Sequence, residues 1–264
     1  MNASAELALH EVSKEYLSAN GTVQALRDVS LSIVRGEFVA IIGASGCGKT
    51  TLLRLLAGLI APTRGEVKVR EHSLWHSGKR DTGAAEMIGM VFQDANLFPW
   101  YTVEENIYLP LMLQGATRQQ CLEKARELCH LVGLAGFERS HTAELSGGMR
   151  QRVAIARALC LKPSILLMDE PFGSLDAMTR ERMNLELQTM IATINATVVL
   201  VTHSITEAVF LADRVVALSP RPGEIRAIQP IEFPRERKLE VQADPRFNLA
   251  VQALRQALCV EGEK

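Results

Sequence analysis

The chain has 264 residues, 47% of them hydrophobic and 5% aromatic, with a formal charge of -1. That length and apolar content suffice for one substantial core plus a smaller lobe. The near balance of acidic and basic residues excludes a global field that would draw the protein to nucleic acid or anionic lipid. Five cysteines, Cys47, Cys121, Cys129, Cys160 and Cys259, include no CxxC pair, which suits free thiols in a reducing compartment and not a disulfide framework.

The opening "MNASAELALHEVSKEY" has no basic segment followed by an apolar one, so no secretory leader is expected. The longest apolar runs, such as "TVVLVT", fall far short of the roughly 18 to 20 residues of a membrane helix. Any membrane role is therefore expected to go through a partner. "LALHEVSKEYL" and "VQALRDVSLSIVRGE" read as short alternating strands, an antiparallel sheet at the amino end. Next, "GEFVAIIG" is a run of β-formers that stops at a glycine, and "KTTLLRLLAGLI" continues as an apolar helix.

Between that strand and helix, "GASGCGKT" fits G-x-x-x-x-G-K-[ST] in full. Gly43, Ala44, Ser45, Gly46, Cys47 and Gly48 offer backbone N–H groups that wrap phosphates, and Thr51 follows the motif in the same segment. Lys49 supplies positive charge to the β and γ phosphates, and the Thr50 hydroxyl suits Mg²⁺. Cys47 is given no side-chain chemistry. His72 and His76 in "HSLWH" have the spacing of a helical metal pair, but Gly and Ser nearby argue against a helix and no third ligand is suggested.

"MIGMVFQ" is strand-like and ends at Gln93, placed to reach Mg²⁺ or water. From Asp94 to Leu161 the pattern becomes helical, with "VEENIYLPLMLQG" and "TRQQCLEKARELCHLVGL" apolar at helical spacing. This reads as a helical lobe inserted into an α/β core, with Cys121 and Cys129 on one helix. Leu97, Phe98, Pro99 and Trp100 form an exposed apolar group suited to a short helix of another chain. "LSGGMRQRVAIARAL", Leu145 to Leu159, is a serine and two glycines opening a helix, a second phosphate-binding arrangement in one chain.

"SILLMDE" and "ATVVLVTHS" are nearly continuous apolar runs, as in central strands of a parallel sheet. Ligands bind outside the carboxyl ends of such strands. Asp169 there suits Mg²⁺, Glu170 suits a base that polarises the attacking water, and His203 suits a contact to γ phosphate and water. After Ser219 come "SPRPGEIRAIQPIEFPRERK", with "PRERK" read as a solvated connector, and a last amphipathic helix over "DPRFNLAVQALRQALCV" with Asp244 as N-cap.

Together these residues resemble the nucleotide-binding subunit of ABC transporters, over about residues 7 to 218. "GASGCGKT" is similar to the Walker A of that family, "ILLMDE" to its Walker B and "LSGGMRQ" to its signature; Gln93 matches the Q-loop, Ser174, Leu175 and Asp176 the D-loop, and His203 the H-switch. Tyr16 falls where the family has an aromatic that stacks on adenine. The resemblance implies a P-loop NTPase core of the α/β class, with a mostly parallel sheet, an N-terminal antiparallel sheet and an inserted helical subdomain at about 94–161. The ATPase domain is expected over 1–219, with a short extension over 220–264.

The resemblance further implies a head-to-tail homodimer in which Ser146, Gly147, Gly148 and Gln151 serve the ATP of the partner subunit. That arrangement accounts for two phosphate-binding ends in one chain. Two permease subunits, contacted through Leu97 to Trp100, an extracytoplasmic substrate-binding protein and a peripheral location on the cytoplasmic membrane face are implied too. "LFPWYTVEENI", "MDEPFGSLDAMTR" and "LSPRPGEI" look like the importers of nitrate, sulfonates and taurine; another importer class or an exporter subunit is the alternative, with a non-transport ABC ATPase after them. ABC ATPases of DNA repair carry a long coiled coil before the signature, and those acting on ribosomes carry two ATPase domains. Neither feature is present, and a P-loop kinase or GTPase would leave "LSGGMRQ" and His203 unexplained.

Overall fold

A computed structural model describes residues 5–18 and 21–259. The chain divides into two compact units, one made of residues 1–88 and 196–264 and the other of 89–195. The first unit opens with β1 (Ala5–Ser18) and β2 (Gly21–Val34), followed by β3 (Phe38–Ile42) and helix α1 (Lys49–Leu56). Then come β4 (Arg64–Val69), the short strands β5 (His72–Ser73), β6 (Trp75–His76) and β7 (Lys79–Arg80), and α2 (Thr82–Glu86).

The second unit begins at Gly89, within β8 (Ile88–Val91), and runs through α3 (Val103–Leu113), α4 (Arg118–Leu131) and α5 (Gly147–Leu159) to β9 (Ile165–Asp169) and α6 (Ala177–Ile194). The chain then re-enters the first unit with β10 (Thr197–Val201), α7 (Ile205–Leu211), β11 (Arg214–Leu218), β12 (Ile225–Pro230) and α8 (Pro245–Cys259).

In the first unit β3 pairs in parallel with β10 on one side and β11 on the other, and β12 adds antiparallel to β11. Strands β3 and β10 are buried at every position, as expected of parallel strands covered on both faces. A separate antiparallel sheet has the order β2-β1-β4-β5. The sequence pattern predicts short strands there, whereas β1 and β2 are 14 residues each. Register shifts between Leu9 and Val12 and again around Lys14 break the alternation and hide the length of the strands. Across them the Ser13 hydroxyl donates to Asp28 Oδ1 and accepts from the Asp28 N–H, both at 2.9 Å.

In the second unit the helices α3 and α4 begin with full capping boxes, Thr102 with Glu105 and Thr117 with Gln120. Cys121 and Cys129 do lie on one helix, and both are buried. His72 and His76 lie on strands, not on a helix, and no group of three or more His, Cys, Asp or Glu is placed to hold a metal among the described residues.

The solvated connector expected over "PRERK" holds for Pro234, Arg235, Glu236 and Lys238, which are exposed, and fails at one residue. Arg237 of "PRERK" is 4% exposed, and its guanidinium donates to the carbonyls of Val209, Phe210 and Ala212 at 2.8, 3.0 and 2.9 Å. It thereby satisfies the carbonyl end of α7, which a solvated connector would leave to water. Asp244 bonds the N–H of Arg246 at the start of α8; Val260, the predicted end of that helix, lies outside the described residues. No helix among the described residues is long and apolar enough to cross a membrane.

Candidate functional site

In the first unit, β3 delivers the chain to Gly43, and Ala44, Ser45 and Gly46 form an exposed rim before the chain turns into α1. Gly48 has φ 114°, and a Cβ there would lie 2.8 Å from the Ala25 carbonyl oxygen and from Leu26 Cδ2. Only glycine makes that turn. No side chain caps α1, so its first N–H groups are those that a helix N-terminus offers to an anion. Lys49 is 6% exposed and donates to the Gly43 and Ala44 carbonyls at 2.9 and 3.1 Å. A buried ammonium held by loop carbonyls is a charge kept close to whatever the loop encloses. Cys47 is buried beside it, and burial pushes its thiol up against the opposing pull of Lys49. Thr50 and Thr51 are half-buried on the first turn of α1.

His203 is exposed just beyond β10. Its turn is fixed from both sides: the Thr202 hydroxyl bonds Glu207 and accepts from the Ser204 N–H, and Ser204 caps α7. Tyr16 lies on β1, 38% exposed, with Lys14 Nζ 5.2 Å from its ring centroid.

The second unit carries Asp169 at the last position of β9, 6% exposed. Glu170 follows with φ 42°, a left-handed conformation uncommon outside glycine. The turn after it is held by Arg180, which donates to the carbonyls of Phe172, Gly173 and Leu175 at 3.2, 3.4 and 2.8 Å. Sequence reasoning missed Arg180; its only signal was the Arg that closes "SLDAMTR". Ser174 is exposed, and Asp176 caps α6 by accepting from the Thr179 N–H at 3.0 Å. That bond holds the Asp176 carboxyl below the usual range.

Ser146 caps α5 through the Met149 N–H at 3.3 Å, and Gly147 opens the helix in an exposed position. Cβ atoms built at Gly147 and Gly148 would meet this chain no closer than 3.6 and 3.8 Å. Gly148 is itself buried, but among the described residues nothing crowds a Cβ at either glycine. Gln151 is placed differently from its neighbours: it is 5% exposed, and its amide donates to the Phe92 carbonyl at 3.1 Å. It therefore steadies the approach to Gln93, which is exposed beyond β8, and does not share the exposed face of Ser146 and Gly147.

The segment after Gln93 is knotted to the helices. Asn106, fully buried, accepts from the Phe98 N–H at 2.8 Å and donates to the Phe98, Tyr101 and Thr102 carbonyls. Arg157 holds the Ala95 and Asn96 carbonyls at 2.7 and 2.8 Å. The rings of Phe98, Trp100 and Tyr101 cluster with centroids 5.5 to 6.2 Å apart. Pro99 and Trp100 are exposed, Trp100 to 66%, whereas Leu97 and Phe98 are half-buried. The exposed patch is thus narrower than expected, and it is firmly seated.

A glycine loop between a buried strand and a helix, with a buried lysine at its mouth, defines a P-loop nucleotide-binding protein. A family model described as ABC transporter matches residues 26–173. The chain belongs to the ABC transporter family. It is 45% identical to the taurine import ATP-binding protein TauB of Burkholderia thailandensis, over 98% of this chain and 99% of that one. It is 42% identical to the nitrate import ATP-binding protein NrtD of a Synechocystis species, over 91% and 90%. Among solved structures, the dimeric post-hydrolysis state of the ATP-binding cassette MJ0796 bound to ADP and Pi matches with a TM-score of 0.75 and 34% identity, over 86% of this chain and 99% of that one. The resemblance seen in the motifs and the fold class that it implied are both borne out.

Proposed function

We propose that this ABC-type ATPase subunit drives a membrane importer, coupling ATP-driven closure of a homodimer to uptake of a small anion or zwitterion such as an aliphatic sulfonate, taurine or nitrate. The observation that carries the chemistry is the buried Lys49 at the mouth of the glycine loop. The import assignment is supported by near-full-length likeness to ATP-binding proteins named for taurine and nitrate import. Two permease subunits, and through them an extracytoplasmic binding protein, complete the reading, with this chain peripheral on the cytoplasmic face.

In this reading the Gly43–Thr51 loop wraps the phosphates and Lys49 offsets their charge. Tyr16 offers one ring face to adenine while Lys14 lies near the ring. Thr50, Gln93 and Asp169 supply a hydroxyl, an amide and a carboxylate, all hard oxygen donors that fit Mg²⁺. A site with a single carboxylate is also what Mg²⁺ shared with phosphates needs, so the lack of a three-ligand cluster among the described residues does not conflict with it. Bound there, Mg²⁺ would offset charge on the β and γ phosphates. Glu170 orients and polarises the attacking water, and His203 holds the γ phosphate and that water.

Ser146, Gly147 and Gly148 serve the nucleotide of the partner subunit. The exposed Gly147, which packing among the described residues does not require, supports a close approach by something outside the chain, with the buried Gly148 just behind it. Loss of the γ phosphate then removes the bridge between subunits and reopens the dimer. The seated patch of Pro99 and Trp100 transmits that motion to the permease.

The test is to tag the chain, solubilise the producing cell's membranes in mild detergent and identify what copurifies, with Trp100→Ala alongside. A multi-span permease that is depleted by the variant is expected. Ribosomes, DNA enzymes or no partner, with ATPase activity intact, would overturn the import assignment.

A further inference from the structure

The segment "SPRPGE", Ser219 to Glu224, carries no role in the reading above, yet it closes against the outer side of the phosphate loop. Arg221 is exposed, and its guanidinium reaches the Gly46 carbonyl from two nitrogens, Nε at 3.3 Å and Nη2 at 3.1 Å. Gly223 presses on the next residue so closely that a Cβ there would overlap the Cys47 carbonyl oxygen and come within 3.0 Å of Leu26 Cδ2. The turn thus bonds the Gly46 carbonyl and packs closely against the Cys47 carbonyl.

That turn is itself stiff. The Ser219 hydroxyl, 8% exposed, donates toward the Pro220 and Pro222 carbonyls at 2.9 and 2.8 Å and accepts from the Glu224 N–H at 2.9 Å. Gly223 is stitched to β2 through Ala25 and Arg27 at 2.9 and 3.1 Å, and the Arg27 side chain pairs with Glu224. The same stretch of β2 lies under Gly48. A rigid turn thus pins the Gly46 rim of the loop from outside, on its carbonyl side, which leaves the N–H groups of that rim free to face phosphates.

We propose that Arg221 is a positioning residue for the phosphate loop: by holding the Gly46 carbonyl outward, it keeps the loop amides in the geometry that grips the phosphates of bound nucleotide. The proposal rests on the reading of Gly43–Thr51 as the phosphate site. A loop of this kind cradles the α and β phosphates, which ATP and ADP share. Arg221 therefore acts on the affinity for both nucleotides and leaves the hydrolytic step alone.

The experiment uses the full chain with fluorescent mant-ATP and mant-ADP as probes. Arg221→Met is expected to weaken both by about three- to tenfold, the worth of one exposed charge-assisted hydrogen bond. The KM for ATP should rise by the same factor while kcat stays within about twofold, and the melting temperature should not move. Arg221→Lys, which keeps a cation and a donor, should recover part of the affinity. Arg27→Met removes the ion pair of the same turn and should bind as the wild type does.

Unchanged affinity in Arg221→Met, or an equal loss in Arg27→Met, would overturn the role given to Arg221. A lowered kcat at unchanged KM would do the same. Lys49→Ala separates the two readings. If it binds nucleotide normally, the phosphate-site assignment fails and the proposal with it; if it loses binding while Arg221→Met keeps it, the proposal fails alone.

Discussion

Replacing Arg237 by methionine keeps most of the buried side-chain volume and removes the guanidinium that closes α7. The side chain is 4% exposed, so solvent screening does little to reduce the effect. Five carbonyls lose a donor: Val209, Phe210 and Ala212 at the end of α7 and, within the tail, Pro234 at 2.9 Å and Phe233 at 3.3 Å. The charge is already costly to bury, and burial lowers the pKa of the group, so the bonds are not a net gain in full. Each buried carbonyl left without its donor costs about 1–3 kcal/mol, and release of the charge's desolvation cost offsets much of that sum, so a net loss of about 3–5 kcal/mol is expected. At about 2–4 °C per kcal/mol for a chain of this size, the melting temperature should fall by about 6–20 °C. Arg237→Lys should fall between, since one ammonium cannot span all five carbonyls. Differential scanning fluorimetry of the purified chain reads the shift. A loss under about 2 °C for the methionine variant would show that water replaces the guanidinium at little cost, and the account of the tail as an anchor for α7 would be wrong.

Glu170→Gln should keep nucleotide binding and accumulate a closed dimer on size exclusion with ATP while turnover nearly vanishes; normal steady-state hydrolysis would remove Glu170 as the base. Ser146→Arg should stop hydrolysis in the dimer although Lys49 is intact, and full activity would reject a site completed by the partner subunit. The thiols offer a pH test. Cys129 is pushed up to about 12 by burial, with Glu138 and Glu104 adding to it, so at pH 8 it stays a neutral thiol. Cys47, Cys121 and Cys160 are also buried, whereas Cys259 is exposed. Iodoacetamide at pH 8 should label Cys259 first and the other four only on unfolding, as peptide mass mapping would show; early labelling of Cys129 would contradict its environment.

Much of the site was legible in the sequence because phosphate binding is a local matter. A strand, a glycine loop and a helix N-terminus are consecutive in the chain, so "GASGCGKT" carries both the residues and the context that position them. The ends of the apolar runs likewise marked Asp169, Glu170 and His203 as candidates, since polar residues begin where a buried strand stops, although Asp169 itself stays buried. What tertiary structure alone decided are contacts between residues far apart in sequence. Arg221 reaches Gly46, Arg237 closes α7, and Gln151 turns inward to Phe92 while its neighbours Ser146 and Gly147 stay exposed. An arginine in a polar run reads the same whether it ends in water or on a buried carbonyl. The long β1 and β2 were hidden for a related reason, because bulges break the period of two that reveals a strand. Periodicity and motif report what a residue's neighbours in sequence impose; the direction of a long polar side chain is set by the backbone groups left unpaired elsewhere in the fold.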